Sequence, residues 1–415
     1  MNKLIIPIII AVIFAAAAGA CFVFQISSFT DNKPIPKESV VYPQKFHIEG
    51  SKIVDESGKE IIFRGFDIVS TTYLLKMDQK GPGLVVWGED FFREMSAWGS
   101  KITRIQIIPE EWEEDRANAI KLIDQTIEWS KKYNMYIYLE YNVAGFPPTL
   151  NYDKESKSAT KQDFIGFWDE ISKKYKNEKT VAFYEIMNEP TYSSNKSRLD
   201  NALLKKDWLL WKEFAEEIID VIRKNDSDSV IIVGGLVWGY DNSFALEYPI
   251  ERENIVYGTH PYPWRSEHKS WDEAFGNIKN KYPVFATEFT VAGLATNLRK
   301  WDSVRNELSK IVYSEDLYEE GKKVRGNKRK ESEIALKMVE RIKKDRAALN
   351  YLVSEREKYK REIKSYLENK KISWTAFTFY SIYPEFSMVD ENYTPNEQGK
   401  WFKQWLMEKS LDSTP

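Results

Sequence analysis

The chain is poor in the residues on which several kinds of chemistry depend. A single cysteine, Cys21, stands among 415 residues, which excludes an internal disulfide framework and a thiolate zinc site. Only three histidines are present, His47, His260 and His268. That is too few for a histidine-rich metal cluster, so no metal and no other cofactor is expected. The formal net charge is −3. The basic excess of a nucleic-acid-binding surface is missing, and no nucleic-acid partner is expected. No glycine-rich phosphate loop follows the first predicted strand, which argues against an open dinucleotide-binding sheet.

Charge is also absent, locally, from the 21 residues Leu4 to Phe24. A run of that length suits a membrane helix at about 20 residues per span. Lys3 before it is a cue for a cytoplasmic N-terminus. A cleaved export signal is a second reading, and "AAGAC" before Cys21 makes a lipoprotein signal a third. All three place the rest of the chain outside the cytoplasm, with residues 1–25 as signal or anchor. Residues 26–44 contain three prolines among mixed polar residues and read as a linker. A catalytic domain is expected over residues 45–410, attached to the membrane through the N-terminal segment and acting as a monomer.

What is abundant is alternation. "FHIEGSKIVDESGKEIIFRGFDI" reads as a hairpin running into a first apolar strand that ends near Asp67. Seven further strand candidates follow: "KITRIQII", "NMYIYLEY", "TVAFYEIM", "SVIIVGG", "NIVYGTH", "YPVFATE" and "ISWTAFTFY". Amphipathic helical patterns separate most of them, one carrying Leu210, Phe214, Ile218 and Ile222 at four-residue steps. Near-continuous apolar strands alternating with helices indicate a covered parallel sheet. Eight repeats predict a (β/α)8 barrel of the TIM type.

In such a barrel, polar residues at the C-terminal strand ends gather at one mouth. "YEIMNEPT" delivers Asn188 and Glu189 where the fourth strand runs out, because Pro190 cannot continue a ladder. Arg104 lies within the second strand and Asn142 follows the third. His260 and Tyr262 follow the sixth, Glu288 ends the seventh, and Trp374 and Phe377 lie on the eighth. Two carboxylates in unlike environments are what acid and base roles require. Each glutamate alone could equally cap a helix or pair with a lysine. Trp238, Trp264 and Trp112 follow strands and could stack on sugars. Trp208, Trp211 and Trp401 lie in helical patterns and are expected to pack against the barrel.

The ordered pieces "FRGFDI", "ITRIQI", "EIMNEP", "YGTHPYPW", "PVFATEF" and "SWTAF" resemble family 5 of the glycoside hydrolases, the cellulase-like retaining enzymes, over roughly residues 46 to 408. The resemblance implies a retaining endo-β-1,4-glycosidase acting on β-linked polysaccharide or oligosaccharide. Glu189 would be the general acid/base and Glu288 the nucleophile. It further implies that Asn188 holds the sugar 2-hydroxyl, that Arg104 keeps the nucleophile ionised, that Tyr262 donates to Glu288 and that His260 lines the acid/base side. A β-mannanase, another β-glycanase of the family, or a weakly catalytic polysaccharide-binding barrel are the alternatives.

Three departures from the family pattern stand out. "LEYN" places Tyr141 and Asn142 where "LDLH" leads to a histidine, and Phe377 stands at the position aligned with a tryptophan platform. Residues 298–371 form a long insertion between strands seven and eight. Its second half carries a helical stripe through Met338, Ile342, Leu349, Leu352, Tyr359, Ile363 and Tyr366. Between Glu319 and Lys371 there are 18 Lys/Arg against 10 Asp/Glu. The insertion is expected to project from the barrel as helices without a catalytic group. Its charge fits either a solvated, paired face or a basic arm on anionic lipid or wall polymer.

Overall fold

The computed structural model describes residues 42–72, 74, 87–152, 159–291, 344–380 and 386–412. The apolar run Leu4 to Phe24, its linker and residues 298–343 of the insertion lie outside them. Among the described residues no helix is long and apolar enough to cross a membrane.

All eight strand segments form. They are β1 (Arg64–Ile68), β2 (Ile102–Ile107), β3 (Tyr136–Tyr141), β4 (Val181–Glu185), β5 (Val230–Gly234), β6 (Ile255–Thr259), β7 (Val284–Ala286) and β8 (Ser373–Ala376). Each pairs in parallel with its sequence neighbours, and β8 pairs with β1, closing a barrel. The helices include α1 (Glu89–Ala97), α2 (Arg116–Lys132), α3 (Lys161–Tyr175), α4 (Asn201–Asn225), α5 (Arg346–Asn369) and α6 (Glu397–Asp412). The chain is a (β/α)8 barrel.

Helix starts follow capping chemistry. Asp115, Asp200 and Asp345 accept backbone N–H bonds at the starts of α2, α4 and α5, and Thr160 with Asp163 forms a capping box on α3. On α4 the buried face includes Phe214, Ile218 and Ile222 as the periodicity predicts, with Trp208 and Trp211 beside them. Their indole N–H groups donate to the carbonyls of Tyr248 and Gly234, which fixes both rings against the barrel.

The inward positions of the strands run from apolar to polar. At the N-terminal end, Phe63, Phe183, Phe285 and Tyr138 pack in one cluster, and Phe46 of the N-terminal hairpin (Phe46–Glu49 with Lys52–Asp55) closes it from below. Side chains alternate across a strand. Ile102 is therefore followed inward by Arg104 and Gln106, Tyr138 by Glu140 and Asn142, and Phe183 by Glu185. Register places Asp67 beside Arg104 and Glu140 beside Glu185.

The insertion departs from expectation. Its described part, residues 344–371, does not project, because α5 is the wall helix between β7 and β8 and buries Leu352, Tyr359, Ile363 and Leu367. A helical stripe identifies an apolar face without saying what covers it, and here the barrel does. Basic residues here are also committed. Arg356 pairs with Glu397, Lys364 with Glu408, Lys370 with Asp272 and Lys371 with Glu60. At these positions the charge forms ordinary pairs.

Candidate active site

Arg104 organises the barrel mouth. Its guanidinium is fully buried, and a permanent cation there requires counter-charges and acceptors. Nε donates to Glu185 at 2.6 Å; one terminal nitrogen donates to Asp67 at 3.0 Å and to Glu288 at 2.8 Å. The other donates to Asn188 Oδ1 at 2.9 Å and lies 3.9 Å from Glu140. One cation thus faces four carboxylates. Burial, opposed by Arg104 and reinforced by Glu288 and Glu185, pushes Asp67 up to about 8. Burial likewise holds Glu140 well above the carboxylate range. Protons retained on these two groups reduce the excess negative charge beneath the mouth.

Glu288 stands just beyond β7 and is nearly buried. Its Oε2 accepts from Arg104, and its Oε1 accepts from the Tyr262 hydroxyl at 2.5 Å. Burial and the Glu288 charge raise the Tyr262 phenol, so it remains a donor. Glu189, beyond β4, is more open, with its side chain 19% exposed. His260 Nδ1 lies 3.2 Å from Glu189 Oε1. Burial lowers His260 to about 4, against the pull of Glu288 in the other direction. The imidazole is therefore neutral at neutral pH, and its Nδ1–H is a donor to Glu189 in its carboxylate form. The His260 ring rests on Gly239, whose φ is +74° and where a Cβ would stand 2.9 Å from the imidazole.

One ligand atom from each of Glu189, His260 and Glu288 lies within 4.8 Å of the others, the one grouping among the described residues with the span of a metal site. Both Glu288 oxygens already accept hydrogen bonds, one from a permanent cation, so a metal ion there would sit against the charge of Arg104.

The sequence-predicted residues divide cleanly. Glu189, Glu288, Arg104, Asn188, His260 and Tyr262 form one connected set. Asn142 joins it from β3, donating to Glu140 at 3.2 Å. Trp238 stands half-buried after β5, turned by two left-handed residues, Val237 (φ 59°) and itself (φ 56°), with its ring edge-on to Tyr192 at 5.1 Å. Phe377 is half-buried at the end of β8. Trp374 is a correction. It is fully buried and lies against Trp405 of α6 at 4.3 Å between ring centroids, outside the barrel. Strand parity explains this, since Thr375 points inward to Tyr138 and its neighbour must point out. Trp112 packs in the same way on Phe167 of α3, and Trp264 stacks behind Tyr262 at 4.6 Å.

Tyr141 points outward for the same reason, so the departure from the family's histidine rests on Asn142. The Tyr141 ring stacks on Phe167 at 4.2 Å, outside the barrel, leaving Asn142 as the mouth residue of β3. Sequence reasoning missed Asp67, Glu140 and Glu185 as site residues. The available signal was a carboxylate at an inward position of an otherwise apolar strand.

A closed barrel with paired glutamates across its C-terminal mouth is the architecture of many glycosidases, and the comparisons agree. The model of the Cellulase family (glycosyl hydrolase family 5) matches residues 54–312, and the chain belongs to that family. Endoglucanase A of Butyrivibrio fibrisolvens is 27% identical over 256 residues, 60% of this chain and 52% of the relative. Endoglucanase E-5 of Thermobifida fusca is 26% identical over 261 residues, 59% and 48%. The chain spans about half the length of these curated relatives. Among solved structures, the β-glucanase SdGluc5_26A of Saccharophagus degradans superposes with a TM-score of 0.66 at 27% identity, covering 88% of this chain and 94% of that one. It has also been solved in complex with cellotetraose.

Proposed function

We propose that this chain is a retaining endo-β-1,4-glucanase whose acid/base is Glu189 and whose nucleophile is Glu288. The observation that carries the reading is the approach of the two carboxylates, with an oxygen of each within 4.8 Å of the other. Retaining sites hold their carboxyl groups about 5–5.5 Å apart, whereas inverting sites need about 6.5–9.5 Å to admit a water. The environments differ in the required sense: Glu288 faces a fixed cation and a phenol donor, while Glu189 is open to the cleft beside a neutral imidazole.

In the first step Glu288 Oε attacks the anomeric carbon while protonated Glu189 delivers its proton to the departing glycosidic oxygen. A glycosyl ester on Glu288 results. In the second step Glu189 takes a proton from water as that water attacks the same carbon, and Glu288 leaves as carboxylate. Asn188 Oδ1 is committed to Arg104, which leaves its amide N–H groups for the sugar 2-hydroxyl. Phe377 and Trp238 offer ring faces to the sugars on either side.

The names of the relatives and the cellotetraose complex of the structural neighbour favour β-1,4-glucan as substrate. Against the binding-only reading stands the presence of both carboxylates with Arg104, Asn188, His260 and Tyr262 at one mouth. The apolar run at residues 4–24 supports export and membrane attachment, with the barrel acting at the cell surface. The test is product stereochemistry on cellotetraose together with Glu288→Ala. Retention of β-configuration and loss of hydrolysis by several orders of magnitude, with oligosaccharide binding kept, are expected. An inverted product refutes the mechanism, and a glucan-inactive, mannan-active wild type refutes the substrate.

A further inference from the structure

Among the described residues Arg265 forms no ion pair. It lies in the turn after β6, three residues beyond Tyr262, and its guanidinium carbon sits 4.7 Å above the Trp238 ring. Its Nε is buried without a hydrogen-bond partner, and no ion pair forms at its side chain among the described residues. Each buried polar N–H left unpaired costs about 1–3 kcal/mol. A planar donor fork held on an indole face is rigid as well as desolvated. Stored in that way, it is suited to a ligand that brings acceptor oxygens.

Its position says which part of the ligand. Trp238 stands against Tyr192, three residues past Glu189 on the same loop. Glu189 is also the charge that acts most strongly on Arg265. Glu288, Arg104 and Phe377 belong to other parts of the mouth. A second arginine, Arg198, is exposed on the Glu189 loop and also acts on Arg265. Neither arginine has a carboxylate within ion-pair distance among the described residues.

The turn that carries Arg265 is anchored for the purpose. Asp241, buried after β5, receives His268 Nε2 at 2.7 Å and Lys269 Nζ at 2.8 Å. Those two contacts tie the far end of the β6 turn to the loop that presents Trp238. Arg265 and Trp238 are thereby held in loops that are tied to one another.

We propose that Arg265, seated on Trp238, binds the sugar on the leaving-group side of the cleaved bond, its guanidinium donating to hydroxyl or carboxylate oxygens of that residue. The inference rests on the glycosidase reading above, because the leaving-group side is defined by Glu189. Trp238 supplies the stacking face and Arg265 the polar fork, so together they make a subsite for one pyranose. The unpaired charge also makes this the place where a substrate bearing acidic sugars is favoured over a neutral one.

The test compares two substrates in wild type, Arg265→Gln and Arg265→Lys. Cellotetraose needs a sugar on the leaving-group side; 2,4-dinitrophenyl β-cellobioside replaces that sugar with a phenolate that departs without protonation. For Arg265→Gln, kcat/KM on cellotetraose should fall about 10- to 100-fold, the range of a charge-assisted hydrogen bond. On the aryl cellobioside it should fall no more than about 3-fold. Arg265→Lys should recover part of the difference, since it keeps the charge and loses the fork. Equal losses on both substrates overturn the proposal, whereas a wild type inactive on both overturns the glycosidase reading instead. Carboxymethylcellulose against hydroxyethylcellulose separates the two oxygen sources. A larger loss on the carboxymethyl polymer assigns carboxylate recognition, and equal losses assign hydroxyl recognition. A thermal melt of each variant within a few degrees of wild type excludes misfolding as the cause.

Discussion

Burial of His260 makes acid sensitivity a measurable property of one side chain. The imidazole is 1% exposed, and its pKa is lowered from 6.5 to about 4, chiefly by burial. Between those two values the unfolded chain binds a proton at this position and the folded chain does not, so stability rises with pH across that window. The sign is fixed: the folded state bears no penalty above pH 6.5 and carries the whole of it once pH has fallen through 4. The whole penalty is about 3 kcal/mol, and at pH 5 about 2 kcal/mol has already been lost. That is a large part of the stability of an ordinary domain.

The perturbation is His260→Asn, which keeps a polar atom near the place of Nδ1 and cannot titrate. The cavity it leaves costs a roughly pH-independent amount, so it shifts the whole stability curve without bending it. Urea unfolding of both proteins at pH 7.5, 6 and 5 gives the comparison. Other groups titrate in this range, Asp67 among them, but they are common to both proteins and cancel in the difference to first order. Between pH 7.5 and 5 the wild type should lose about 2 kcal/mol more than the variant. Parallel curves, within about 0.5 kcal/mol, would mean that His260 is not held neutral by its surroundings, and the donor role assigned to Nδ1–H would fall with it.

Gly239→Ala forces a Cβ to within 2.9 Å of the His260 ring at a φ of +74°. It should cost about 1–2 kcal/mol from backbone strain alone and lower kcat as the imidazole shifts against Glu189, read by thermal melting and steady-state hydrolysis of cellotetraose. Tyr359→Phe removes the hydroxyl that donates to the Pro261 carbonyl at 2.7 Å, between His260 and Tyr262. A loss of about 1–3 kcal/mol in urea unfolding is expected, with an accompanying fall in kcat, and an unchanged midpoint would show that the carbonyl finds another donor.

The fold was legible because its main signal is repeated. Eight apolar runs separated by helical periodicity leave few alternatives, and error at any single boundary does not change the count. Residues 344–371 depart from the expected projecting arm for a local reason. Leu352, Tyr359 and Ile363 recur as they would in a free-standing helical hairpin, and periodicity reports only that the stripe is covered. In the structure the covering surface is the barrel, and the Tyr359 hydroxyl reaches the backbone between two site residues. A segment read as remote from the chemistry thereby supports it.

Parity along the strands separates the residues that meet at the mouth from those that do not. Phe377 and Trp374 differ by an odd number of residues, so they cannot both face the mouth, and Thr375 settles the choice by reaching Tyr138 inside. The same rule applied outward from Arg104 recovers the carboxylates that were overlooked. Glu140 follows Tyr138 by two, Glu185 follows Phe183 by two, and Asp67 lies in register beside Arg104. On β1 to β4 the inward sequence proceeds from an aromatic or aliphatic residue near the hairpin to a charged or amide residue near the mouth. That gradient has a physical cause: a desolvated carboxylate is tolerated only near a cation or near water, and Arg104 and the cleft supply them at one end alone. Arg265 falls outside any such rule, being placed by a turn whose anchor, Asp241 with His268, joins residues 27 apart in sequence. Periodicity thus finds the groups that strands carry, while the cation that completes the cleft on the Glu189 side becomes visible only when the loops are folded over it.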